Sequence, residues 1–195
     1  MARILEEIDS WVRRIWLRVV KNEYERSRIL EESNLHSTVY FHLRQLIEGS
    51  KSKKPKPFIY SEMPFSTTMR GKGKKNPRVD LAVVILDEVK ETPINLLAVI
   101  ELKHYDIHYN SIGVNKDLDH LIALQKGIYY PYSESPRRLR ASRAYFLYLV
   151  DKGEISFDAT LKHKIERLKK NGYLKVFLGY RDKGEFITSI ENQGE

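Results

Sequence analysis

Two apolar runs in the middle of the chain limit what it can fold into. Leu81–Leu86 and Leu96–Ile100 are wholly apolar, and the charged, Pro-containing DEVKETPI, residues 87–94, turns the chain between them. Runs this short, bounded by turn residues, read as strands buried on both faces. Residues 78–86 and 95–104 are therefore expected to form a hairpin inside a layered structure. At the end away from the turn each run stops abruptly at charge: Asp80 on one strand, Glu101 and Lys103 on the other. Side chains alternate along a strand, so Glu101 and Lys103 share one side while Leu102 takes the other. A turn centred between residues 90 and 91 sets Asp80 opposite Glu101. Directly opposed residues have Cβ atoms roughly 4.5–5.5 Å apart, close enough for two carboxylates to hold one divalent ion.

The rest of the chain supplies cover for such a sheet. Residues 4–30 read as helix, with Ile8, Val12, Ile15, Trp16 and Val19 on one stripe. That stripe, with Trp11 beside it, is either a packing face or a homodimer contact. A second helix is expected over 33–48, its stripe being Leu35, Val39, Leu43 and Leu46. Glu32 lies on the same line one turn earlier, with Glu31 beside it. Glu32 is either the dipole partner of this helix or a further acid for the site. Residues 57–65 read as a strand whose Glu62 could face either way, and 144–150, 174–181 and 185–190 as further strands. Residues 115–127 and 158–171 read as helices. The first has Asn115 as candidate cap and Gly127 as candidate stop; the second ends at Gly172. The stripe begun by Leu118, Leu121 and Ile122 continues to Gln125, a polar group that needs a partner at the sheet. This order predicts an α/β fold, a mixed central sheet flanked by helices. Residues 1–30 form an N-terminal helical extension and residues 31–195 the domain proper.

Charge and composition narrow the partners. Lys and Arg number 34 against 26 Asp and Glu, a net +8, which favours a polyanion and most simply nucleic acid. The segment STTMRGKGKKNPR, residues 66–78, gathers Arg70, Lys72, Lys74, Lys75 and Arg78 around two glycines. It is either a loop that lies along a phosphate backbone or a solvated hairpin loop. A second cationic group, Arg137, Arg138, Arg140 and Arg143, follows later. With no cysteine, disulfide and thiolate chemistry are excluded. No apolar run approaches a membrane span, and the acidic start MARILEEIDSW lacks a secretory pattern. A cytoplasmic protein without a membrane partner is the expectation. His104 and His108 stand four apart, but the stretch between does not look helical, so ordinary loop histidines are preferred to a zinc pair.

The arrangement resembles the PD-(D/E)XK nuclease superfamily. The residues that carry the resemblance are Asp80 in RVDLAVV and Glu101 with Lys103 in AVIELKH, and it spans roughly residues 30–150. Val79 stands where that motif has proline. Glu88-Val-Lys90 repeats the Glu-x-Lys spacing, but in the turn, with no apolar strand behind it. The resemblance implies a restriction-endonuclease-like core and a metal-dependent hydrolase of DNA phosphodiester bonds. Asp80, Glu101 and the Leu102 carbonyl would bind Mg²⁺ or Mn²⁺, and Lys103 would position water or stabilise the transition state. Glu32 is the better match for the acid that many members supply from their first core helix. Gln125 and Tyr129 match the Gln-x-x-x-Tyr helix of RecB-type members, where these residues lie by the substrate. The alternative implied is an inactive DNA-binding or assembly protein that keeps the fold.

Overall fold

The computed structural model describes residues 2–50, 55–68, 76–105, 111–133, 137–151, 157–170, 172–182 and 185–191. The apolar hairpin forms as β2 (Arg78–Leu86) and β3 (Pro93–Tyr105). Before it come α1 (Ala2–Arg14), a π-helical segment (Ile15–Val20), α2 (Lys21–Glu25), α3 (Glu32–Gly49) and β1 (Phe58–Pro64). After it come α4 (Ser111–Lys126), the short pair β4 (Ile128–Tyr129) and β5 (Arg138–Leu139), then β6 (Arg143–Val150), α5 (Ala159–Lys169), β7 (Leu174–Asp182) and β8 (Glu185–Glu191). The fold is α/β. Its central sheet runs β1-β2-β3-β6-β7-β8, and β4 and β5 pair separately. β3, β6 and β7 are parallel, joined through α4 and α5, while β1, β2 and β8 run antiparallel to their neighbours. The sheet is therefore mixed, and its two innermost strands, β3 and β6, carry the long apolar runs that burial on both faces demands.

Each face has its own core. Ala82, Val84, Val99, Phe146 and Val176 pack beneath α4 and α5 with Leu118, Leu121, Leu161 and Ile165. Leu81, Val83, Ile100, Tyr145 and Phe177 pack beneath the N-terminal helices with Ile8, Val12, Trp16, Leu35, Val39 and Leu43. The N-terminal helices thus form one whole layer of the sandwich. Their stripe is spent on the sheet: Trp16 is fully buried and its indole N–H donates to the Leu178 carbonyl at 3.3 Å.

Two expected details change. The inward position after Trp16 is Val20, and Val19 is only partly buried. The wider π turn shifts the stripe by one residue. The helix also stops at Glu25, short of residue 30, because Ser27 adopts a left-handed backbone at φ 57°. Its N–H and that of Arg28 close onto the carbonyls of Tyr24 and Glu23. In β1, Glu62 takes φ 54° and points to solvent. Among the described residues no helix is long and apolar enough to cross a membrane.

Register decides where Asp80 and Glu101 meet. At the turn Leu86 pairs with Pro93, a hairpin centred between residues 89 and 90. Register shifts at Val83/Val84 and Ile85/Leu86 then move the centre by one residue in all, so that Leu81 faces Ile100. The paired ladder ends there, and Asp80 and Glu101 follow one residue further along each strand, past irregularities the sequence did not announce.

Candidate functional site

The carboxyl end of β3 carries the charged groups, at the rim where ligands gather in open α/β sheets. Leu102 points into the core of the N-terminal face, while Glu101 and Lys103 point towards α4. Asp80 approaches from β2, and its Oδ2 accepts the Leu102 backbone N–H at 2.7 Å. That bond locks the two strands together at the rim. His36 of α3 hydrogen-bonds the Asp80 carbonyl at 3.1 Å and so ties the helix layer to the same point.

Glu101 is 1% exposed. Burial, and then the neighbouring Asp80 carboxylate, raise its pKa well above the carboxylate range. The same causes disfavour its charged form, and the Asp80 side chain lies beside it within hydrogen-bonding reach. Lys103, with its side chain 14% exposed, reaches Glu32 Oε1 at 3.1 Å and Asp117 Oδ2 at 3.2 Å. Burial works against its charge, but Asp117, Glu32 and Asp80 together outweigh that and raise its pKa. Lys103 is thus a firmly charged ammonium.

Glu32 opens the first turn of α3 and reaches over the sheet edge to Lys103, so it serves helix end and site together. Glu31 is the residue at the cap position, and Asn34 Oδ1 accepts its backbone N–H at 3.2 Å.

α4 contributes two groups that sequence reasoning missed. Asp117 and His120 lie one turn apart on the face that also carries Val114, Leu118, Leu121 and Leu124. Asp117 is 8% exposed, and burial pushes its pKa up to about 6 despite Lys103. His120 stands edge-on to Phe65, ring centroids 5.3 Å apart, with Nδ1 at 3.7 Å from Glu101 Oε1. Burial and then Lys116 lower the His120 pKa, which favours the neutral imidazole. One carboxylate oxygen each of Glu101 and Asp117 and one ring nitrogen of His120 lie within 4.8 Å of one another. Glu101 Oε1 and His120 Nδ1 are buried and lack a hydrogen-bond partner among the described residues. Donor atoms at such separations can share one ion at ordinary metal–ligand distances of about 2.0–2.6 Å. Buried unpaired polar atoms are costly unless something binds them, so these residues fit a cation.

No family model matches the chain, and no curated protein or solved structure matches it significantly.

The other expected residues fall outside this cluster. Arg70, Lys72, Lys74 and Lys75 lie outside the described residues. Arg78 is exposed at the start of β2. Gln125 is only partly buried, because Leu124 takes the inward position expected of it. Asn115 sits inside α4, which begins at Ser111, and its side chain accepts from Lys164 instead of capping. Gly127, at φ 112°, ends α4 between Gln125 and Tyr129. Tyr129 therefore belongs to β4, its backbone paired with Ser66, and the Gln-x-x-x-Tyr pattern does not lie on one helix. His104 is buried against Asp151, Nε2 to Oδ1 2.9 Å, beside Tyr24, whereas His108 lies outside the described residues. Two of the later arginines serve the fold: Arg138 donates to the Lys126 carbonyl and Arg143 to that of Gly172.

Proposed function

We propose that the protein is a metal-dependent nuclease of the PD-(D/E)XK type, with a restriction-endonuclease-like core, hydrolysing DNA phosphodiester bonds. The observation that carries this reading is the meeting of Asp80, Glu101, Lys103 and Glu32, from three elements, at one rim of a mixed sheet. Asp80 and Glu101, with the Leu102 carbonyl, are the groups to hold Mg²⁺ or Mn²⁺. A divalent ion bound there would polarise the scissile phosphate and lower the pKa of a coordinated water. An ion held there would need the ionised form of Glu101, which burial disfavours, so its binding would be pH-dependent. Lys103, held charged by Asp117 and Glu32, is suited to stabilise negative charge on the phosphorus oxygens and to orient water. A raised pKa disqualifies it as a general base at neutral pH. The net charge of +8 supports a polyanionic substrate.

Plasmid cleavage with Mg²⁺ or Mn²⁺ tests the reading. Wild type should nick or linearise DNA, and Glu101→Gln and Lys103→Ala should each lose about a hundredfold or more, as when a transition-state charge partner is removed. Equal activity in all three removes the assignment. DNA binding that persists in EDTA, with no cleavage under any divalent ion, would identify the inactive DNA-binding protein instead.

A further inference from the structure

We infer that α4 completes the metal site, so that Glu101, Asp117 and His120 bind a first-row transition ion such as Mn²⁺ in preference to Mg²⁺. The inference rests on reading this rim as a metal site, and it adds an imidazole nitrogen from α4 to an otherwise all-oxygen ligand set.

Three observations carry it. The donor atoms of Glu101, Asp117 and His120 lie within 4.8 Å of one another, as ligands of one ion must. Glu101 and Asp117 are each more than nine-tenths buried, and Glu101 Oε1 is aimed at His120 Nδ1 without a hydrogen-bond partner among the described residues. The His120 ring is set edge-on against Phe65, in an orientation that presents Nδ1 to Glu101. An idle histidine at this position would turn its nitrogen to water or a protein donor. Mg²⁺ takes hard oxygen ligands in strict octahedral geometry, whereas an imidazole nitrogen in the ligand set favours the first-row transition ions, with Mn²⁺ at the weak end of their affinity order.

The site also couples the ion to Lys103. Asp117 Oδ2 now faces the Lys103 ammonium at 3.2 Å. An ion held by Asp117 would compete with Lys103 for the same carboxylate, leaving Glu32 as the other partner of the ammonium.

The test is calorimetric titration of the metal-free full chain with MnCl₂ and, separately, MgCl₂. Wild type should bind Mn²⁺ at least tenfold more tightly than Mg²⁺. His120→Ala should weaken Mn²⁺ by tenfold or more and leave Mg²⁺ within about twofold. Unchanged Mn²⁺ affinity in His120→Ala, or no preference in wild type, overturns the inference. Should His120→Ala fail to fold, electron-spin-echo modulation of Mn²⁺ bound to wild type decides. Coupling to a ¹⁴N nucleus supports the inference, and its absence overturns it. Nitrogen coordination without DNA cleavage keeps this site and removes the nuclease reading. Cleavage with Mg²⁺ and no nitrogen coordination does the reverse.

Discussion

At the mouth of β3, burial in the apolar sheet and then the neighbouring Asp80 carboxylate disfavour a negative charge on Glu101 and raise its pKa. The sign of its effect on stability follows. Its folded pKa lies above its unfolded one, so its contribution is fully present below the unfolded carboxylate range and fades as pH rises towards the folded value. Asp117, raised to about 6, acts in the same direction between its ordinary value and that point. His120, lowered by burial, opposes both just below its ordinary value. Each proton difference changes stability by about 1.4 kcal/mol per pH unit. Thermal melts of metal-free protein from pH 4.5 to 7 should therefore show Glu101→Gln losing less stability with rising pH than wild type. At pH 7 added Mn²⁺ should raise the wild-type midpoint more than that of Glu101→Gln. Parallel pH profiles for the two proteins would show that Glu101 is ionised throughout. Asp80, Glu101 and Lys103 could be read from the sequence because charge breaking an apolar run is visible there. Asp117 and His120 were hidden by a phase choice on α4. A stripe phased on Leu118, Leu121 and Ile122 runs on to Gln125, whereas in the fold Leu124 completes it and the polar pair flanks it. The usable signal was polar groups three apart beside Leu118 and Leu121.

The N-terminal helices and the sheet meet at Gly179 of β7. A Cβ there would lie 2.9 Å from Phe186 Cζ and 3.1 Å from both Leu149 Cδ1 and Trp16 Cζ2. The small residue fits because the Phe186 ring, Leu149 and the Trp16 indole converge on this point, the indole bonded to the adjacent Leu178 carbonyl and edge-on to Phe177. Gly179→Ala should overpack this contact and cost about 1–3 kcal/mol. Urea unfolding followed by tryptophan fluorescence would measure it. A midpoint equal to wild type would mean that the helix layer is not seated on the strand as described. The elements themselves were largely legible: both hairpin strands, α3, α5 with its end at Gly172 and the stop of α4 at Gly127 come from local pattern. The π turn and the register shift at Val83/Val84 were not, since each adds one residue to a period without leaving a Gly or Pro to mark it.

Over the whole molecule, the placement of charge relative to the rim decides what a nucleic acid would meet. Arg78 is exposed on β2 two residues before Asp80, about 7 Å along the strand from the acidic cluster. It is also the described end of the basic segment that begins at Arg70. On the proposed nuclease reading, a duplex whose scissile phosphate reached Glu101 and Lys103 would pass this end of the sheet, and Arg78 would neutralise a neighbouring phosphate. One phosphate contact changes the slope of log affinity against log salt by about 0.9. Anisotropy titrations of a labelled duplex in EDTA, repeated across a NaCl series, should show Arg78→Ala binding more weakly at low salt with a slope shallower by about one. Mn²⁺ affinity and urea midpoint should stay at wild-type values, since Arg78 is outside the ligand cluster and the core. An unchanged slope would send the duplex across another face. A changed Mn²⁺ titration would show that Arg78 acts on the carboxylates and not on phosphate.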